Sequence, residues 1–250
     1  MEKSIGIIIP ARIGSTRYPQ KPLAKLNGKP LIWHAWSGSK KSNIIQNEDI
    51  YIATDSKKIE SVCSSFGAKT IIIDDECLTG TDRVAKANKL LKYDFVINVQ
   101  GDEPLVSSKD IDTIANKILN SSSNNILFNG MKKILDESEF KSLNIPKVVF
   151  NNKNKLMYMS RSPIPITKAN KFEIGYKQVC IYGFPADSLT SFLKYKHKSK
   201  FEKVEDIEIL RFLEMGFDIE MIEFKNDYIA VDTKEDLLKA EKIIREITKE

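Results

Sequence analysis

The sequence predicts an α/β fold: a mostly parallel sheet flanked by helices, with a smaller mixed-sheet lobe. In the first hundred residues, short apolar runs alternate with amphipathic stretches of helical period, which implies parallel strands joined by right-handed crossovers. Beyond residue 125 the apolar runs follow one another with fewer helices between them, the pattern of a mixed sheet. A length of 250 residues then suits one domain over 1–250, with the lobe inserted at about 126–184.

Each element has its own warrant. Ile5–Ile9, Asp49–Ala53, Lys69–Ile73 and Phe95–Val99 are short apolar runs of the kind that form buried strands. Leu31–Ser42, Lys57–Phe66, Thr81–Leu91 and Lys109–Leu119 space their apolar residues three and four apart and are expected as helices. Thr54-Asp55-Ser56 offers an N-cap and Gly67 a C′ stop. The polar run 120–125 is a connector. In the lobe, strands are expected at Ile126–Met131, Lys147–Phe150, Leu156–Met159 and Gln178–Phe184, with Asn151-Asn152-Lys153-Asn154 as a hairpin loop. Helices at Lys203–Met215 and Lys234–Lys249 enclose a last strand, Ile219–Phe224.

Composition excludes several classes. With 42% hydrophobic and 29% charged residues the chain reads as an ordinary soluble globular protein. Its net charge of +5 comes from dispersed lysines, without a basic arm or an interleaved aromatic platform, so no nucleic-acid partner is expected. No apolar run has the length of a membrane span or a signal core, so no membrane partner is expected either. Cys63, Cys77 and Cys180 are odd in number and lack a C-x-x-C spacing; they read as thiols of a reducing compartment, and the chain as cytoplasmic. His34 and His197 are isolated, which argues against a histidine-based zinc site.

In parallel α/β sheets, ligands sit beyond the carboxyl ends of the strands. Three polar loops fall there: the Pro10 loop, Thr54-Asp55 and Gln100-Gly101-Asp102. The first carries Arg12, Arg17 and Lys21 around the small residues Gly14, Ser15 and Thr16. Small residues let backbone N–H groups approach an anion while the cations supply charge, so the loop suits a polyphosphate; the alternative is a solvated basic loop. Asp102 ends an apolar strand opposite this loop, and Asp232 follows the short run Ile229-Ala230-Val231. A pair of carboxylates beside phosphate oxygens suits Mg²⁺. Asp232 could equally be the N-cap of the last helix, a role Thr233 can also fill.

Two further blocks carry polar chemistry. Thr79-Gly80-Thr81-Asp82-Arg83 opens a helix: its hydroxyls can face a base or ribose and Arg83 can pair with Asp82 or a phosphate, or the segment simply caps the helix. In Ser160-Arg161-Ser162-Pro163-Ile164-Pro165 two prolines stiffen the loop, and Arg161 is a candidate for two-point capture of a carboxylate, or a surface ion pair.

In this order the blocks resemble the cytidylyltransferases that activate 3-deoxy-manno-octulosonate (Kdo). The resemblance rests on IIIPARIGSTRYPQKPL with NGKPLIWH, IATD at 52–55, TGTDR at 79–83, INVQGDEP at 97–104, PKVV at 146–149, MSRSPIP at 159–165, IYGF at 181–184, LRFLEMG at 210–216 and VDTKEDL at 231–237. It implies a three-layer, Rossmann-like nucleotidyltransferase fold. It also implies Mg²⁺-dependent transfer of CMP from CTP to the anomeric hydroxyl of a 3-deoxy-2-ulosonic acid, releasing pyrophosphate and serving surface polysaccharide synthesis. Arg12, Arg17 and Lys21 would hold the CTP phosphates, with Pro10, Ala11, Ser15, Thr16, Thr81, Arg83 and Gln100 near the nucleotide. Lys21, Asp102 and Asp232 would be catalytic, the two aspartates holding Mg²⁺. Gln100, Arg161, Gln178, Tyr182, Glu208 and Ile209 would face the sugar, and the lobe would make a homodimer contact.

Two positions depart from the family pattern: Gln178 stands where a histidine is usual, and Ile209 where a glutamine is usual. Each change removes a polar partner, and an unpaired buried hydroxyl costs roughly 1–3 kcal/mol. The phosphate and metal blocks are intact. Open alternatives are an amino- or acyl-substituted Kdo-like acid, a sialic-type acid, or a catalytically silent nucleotide-binding paralogue.

Overall fold

The computed structural model describes residues 3–14 and 18–247. The chain opens with β1 (Ile5–Ala11), a turn of 3-10 helix at Lys21–Leu23, the short pair β2 (Lys25–Leu26) and β3 (Lys29–Pro30), and α1 (Leu31–Ser39). β4 (Ile50–Thr54), α2 (Lys57–Ser65), β5 (Lys69–Ile72), α3 (Gly80–Leu91), β6 (Phe95–Val99) and α4 (Ser108–Asn120) follow. Next come β7 (Leu127–Lys133), α5 (Glu137–Lys141), β8 (Lys147–Phe150), β9 (Leu156–Ser160) and β10 (Tyr176–Pro185). The last elements are α6 (Ala186–Phe192), α7 (Lys200–Glu205), α8 (Ile209–Glu214), β11 (Ile219–Glu223) and α9 (Lys234–Ile247).

Among the described residues one large sheet has the order β11-β7-β10-β6-β1-β4-β5, with β8 joined to β10 and β9 joined to β8. Of its main-path neighbours only β10 runs antiparallel; β6, β1, β4 and β5 pair in parallel, as do β7 and β11. The expected mostly parallel α/β sheet is therefore present. Successive strand side chains point to opposite faces, and both faces are covered. Ile7 and Ile9 pack with α1, α2 and α4, while Ile8 packs with α3, α6 and α8. All three isoleucines are fully buried, which is why the strand reads as a continuous apolar run.

Ser56 accepts from Ile59 N–H at the start of α2, and Gly67 follows its end at φ 79°. The segment 126–184 is divided: β7 and β10 belong to the main path of the sheet, and only the β8–β9 hairpin lies off it. The sequence could not separate these, because apolar runs do not reveal their partners. The expected helix Lys203–Met215 is two helices, α7 and α8, parted where Asp206 adopts φ 53°. α1 stops at Ser39, short of Ser42. His34 lies on α1 with Nε2 2.8 Å from the Leu26 carbonyl. Among the described residues no helix is long and apolar enough to cross a membrane.

Candidate active site

From β1 the chain winds to β4 and β5 on one side, then returns to place β6 on the other. The carboxyl ends of β1 and β6 thus flank the switch point of the parallel sheet, where such sheets leave a crevice. A cleft of about 1230 Å³ opens there. This exceeds the roughly 300–1,000 Å³ of a single small-ligand site. Pro10, Ala11, Arg12, Lys21, Arg83, Gln100, Asp102, Arg161, Gln178, Tyr182, Glu208 and Asp232 all line it. Ser15, Thr16 and Arg17 lie outside the described residues.

The two sequence-distant aspartates converge. Lys21 Nζ donates to Asp102 Oδ2 at 2.6 Å and to Asp232 Oδ1 at 3.0 Å. Burial pushes the Lys21 pKa down, but the two carboxylates outweigh it and leave the ammonium above its usual value. The backbone brings the carboxylates together: Val231 N–H donates to the Asp102 carbonyl at 3.0 Å. Asp232 does not cap α9. That work falls to Thr233, which accepts from Asp236 N–H while the Asp236 carboxylate accepts from Thr233 N–H. Gly101 permits the loop after β6 to approach the end of β1, since a Cβ there would stand 2.8 Å from the Pro10 carbonyl oxygen. Across the cleft, a Cβ on Gly80 would stand 3.3 Å from Gln100 Oε1.

Around this pair several side chains act on other parts of the chain. Arg83 does not pair with Asp82: it donates to Asp55 Oδ2 at 2.9 Å and to the Ile73 carbonyl at 3.0 Å. Asp55 in turn accepts from Ile13 N–H at 3.0 Å, so Arg83 tethers the start of the cationic loop. Asp82 pairs with Arg211 instead. Glu208 accepts from Gly80 N–H, Thr81 N–H and the Thr81 hydroxyl, at 3.1, 2.8 and 2.6 Å. It thereby satisfies the N-terminus of α3, and Thr81 is turned inward onto it rather than lining the cleft. Burial raises the Glu208 pKa, with these hydrogen bonds working against the shift.

At the far end, Arg161 is occupied by main-chain oxygens, those of Leu143, Asn144, Glu205 and Asp206. The expected two-point grip on a carboxylate is not available in this arrangement; Arg161 instead pins the loop before β8 to the end of α7. Ile209 does not line the cleft either. It is buried in the core under α8, because an apolar side chain beside Glu208 turns inward. Gln178 donates from Nε2 to Asn129 Oδ1 at 3.1 Å, and Asn129 seals the irregular stretch of β10 by donating to the Val179 and Ile181 carbonyls. Tyr182 stacks on Phe184.

Glu103, Lys177 and Cys180, which no sequence motif singles out, also line the cleft. Glu103 was visible as the neighbour of Asp102. Cys180 lies on the irregular part of β10, between Val179 and Tyr182, where strict alternation fails and spacing carries no facing signal, while Lys177 sits in the regular register before it, opposite Lys132.

A parallel α/β sheet with a cation-bearing loop and paired carboxylates at its switch point is the frame of a nucleotidyltransferase. A cytidylyltransferase family model matches residues 6–222. A 3-deoxy-manno-octulosonate cytidylyltransferase from Thermodesulfovibrio yellowstonii is 38% identical over 95% of this chain and 96% of its own length. The 8-amino-3,8-dideoxy-manno-octulosonate cytidylyltransferase of Shewanella pealeana is 34% identical over 94% and 96%. A solved structure of CMP:2-keto-3-deoxy-manno-octonic acid synthetase complexed with CTP superposes with a TM-score of 0.88 at 30% identity, covering 97% of this chain and 99% of that one. The chain belongs to the cytidylyltransferase family, in the group of the 3-deoxy-manno-octulosonate cytidylyltransferases.

Proposed function

We propose that this chain transfers CMP from CTP to the anomeric hydroxyl of Kdo, giving CMP-Kdo and pyrophosphate for surface polysaccharide synthesis. The observation that carries the reading is the meeting of Asp102 and Asp232 at one ammonium nitrogen, in a cleft that Arg12 also lines. The names of relatives that match nearly end to end support the acceptor.

The residues present fit Mg²⁺. Asp102 and Asp232 already hold one cation between them, and an oxygen-only pair suits a hard divalent ion completed by phosphate oxygens. When bound, Mg²⁺ neutralises charge on the transferring phosphoryl group and lowers the pKa of a nearby hydroxyl. The chain's own contribution is positional and electrostatic: Arg12, Lys21 and, by the family pattern, Arg17 hold the β- and γ-phosphates and stabilise the departing pyrophosphate. Pro10, Ala11 and Gln100 bound the nucleotide side of the cleft, while Gln178 and Tyr182 bound the sugar side. We further place the protein in the cytoplasm as a homodimer, joined through the 126–184 segment, on which Leu135 and Met157 are exposed.

A second acceptor also has support. A relative named for the 8-amino-3,8-dideoxy acid matches nearly end to end, and with Nε2 of Gln178 given to Asn129 its Oε1 can accept from that amine as it can from a hydroxyl. Pyrophosphate release, measured with each nucleoside triphosphate against Kdo, its 8-amino analogue and a sialic acid, tests both readings. CTP with Kdo is expected to give the highest kcat/KM; a clear preference for the amino sugar moves the assignment to the second reading. Asp102→Asn should lower turnover roughly a hundredfold or more with an unchanged circular dichroism spectrum. Near-normal turnover would remove Asp102 from the metal site.

A further inference from the structure

The Asp102–Asp232 pair is closed by a cation belonging to the chain itself. Lys21 Nζ lies 2.6 Å from one carboxylate and 3.0 Å from the other, with side-chain exposures of 15% for the lysine and 27% and 29% for the aspartates. The main chain that carries it is anchored: Lys21 N–H donates to the Tyr18 carbonyl, and the Lys21 carbonyl accepts from Ala24 N–H. What can move is the four-carbon stem, which carries a compact point charge. The residue also faces the cleft lined by Arg12, where a triphosphate would supply oxygens for the ammonium.

These facts conflict with simple addition of a divalent ion. A metal between the same two carboxylate oxygens would sit against an ammonium in a half-buried site, and like charges at that separation repel strongly. An ammonium leaving the carboxylates needs another anion, since removing its counter-charges in a partly desolvated cleft is costly.

We propose that Lys21 is an exchangeable counter-ion that keeps the Asp102–Asp232 pair closed to a divalent cation until a triphosphate draws its ammonium away. This rests on the metal role given to that pair above. Lys21 is then a positioning residue with two stations, the carboxylates and the phosphates. Its transfer couples metal entry to nucleotide binding, and by linkage each ligand strengthens the other.

The test is Mn²⁺ titration of the full chain without nucleotide, followed by calorimetry and by the electron paramagnetic resonance signal of free Mn²⁺. Lys21→Met should bind Mn²⁺ about tenfold or more tighter than wild type, within the range of ordinary site coupling. Lys21→Arg, which keeps the charge, should stay within about threefold of wild type by the same coupling scale. Lys21→Gln serves as a second neutral variant if Lys21→Met does not fold, as judged by circular dichroism. The double variant Lys21→Met with Asp102→Asn should lose the gained affinity. If Lys21→Met and Lys21→Gln bind Mn²⁺ no tighter than wild type, while Asp102→Asn weakens binding further, the exchange is refuted and the metal site stands. If Asp102→Asn changes nothing in the neutral background, the metal site itself is refuted.

Discussion

Asp102 and Glu103 are adjacent, yet their carboxylates meet opposite environments. Asp102 faces Lys21 in the cleft, whereas Glu103 is 3% exposed and its Oε2 has no hydrogen-bond partner among the described residues. Burial, with the charge of Asp102 adding to it and Lys177 opposing, pushes the Glu103 pKa from an ordinary 4.5 up to about 8. Between those values the folded chain keeps a proton that the unfolded chain has released. Stability from this group is therefore present at low pH and is lost as pH rises from about 4.5 to about 8. Glu103→Gln removes that dependence, so its stability relative to wild type should rise across the same window. Urea midpoints measured from pH 5 to 8 check this; parallel pH profiles for the two proteins would contradict it. The aspartate could be read from its place after an apolar run, but the glutamate's state could not, because burial is a property of the packed chain.

At the scale of elements, α3, α7 and α8 are locked by one cation. Arg211 is fully buried, donates to both oxygens of Glu202 at 2.7 and 2.6 Å, reaches Asp82 at 3.2 Å, and lies 3.7 Å over the ring of Phe192. Removing one partner of a buried network strands the remaining charges. Arg211→Met should thus cost roughly 3–5 kcal/mol in urea unfolding, the usual cost of breaking a buried ion pair. A loss under 1 kcal/mol would mean that the carboxylates find other partners, on the scale of an exposed pair. The same region explains why one expected helix became two. Periodicity across Lys203–Met215 is helical on either side, but the chain turns at Asp206 so that Glu208 can cap α3. Short-range spacing carries no record of a partner more than a hundred residues away.

For the molecule as a whole, β10 is the joint. It pairs antiparallel with both β6 and β7, tying the parallel group β6, β1, β4 and β5 to the parallel pair β7 and β11 in one sheet. Heat should therefore unfold the chain in one transition, seen alike by near- and far-ultraviolet circular dichroism. A ligand at 100 times its Kd adds about 2.7 kcal/mol of stability. For a chain of this length each kcal/mol raises Tm by roughly 2–4 °C. CTP with Mg²⁺ should accordingly raise Tm by about 5–10 °C, on those same relations. GTP at equal concentration should give a smaller shift; equal shifts would argue against a base-selective cleft.

Legible in the residues alone were the mostly parallel α/β frame, the strand ends that carry polar loops, and the acidic and basic residues whose chemistry suits a nucleotide. These follow from periodicity and from residues next to one another, both of which are local. Packing alone brings Asp102 and Asp232 to Lys21, gives the cap of the last helix to Thr233 rather than Asp232, and turns Arg161, Thr81 and Ile209 to the chain itself. Each of those outcomes depends on which distant groups compete for one hydrogen bond or one buried volume, and that competition exists only once the chain is packed.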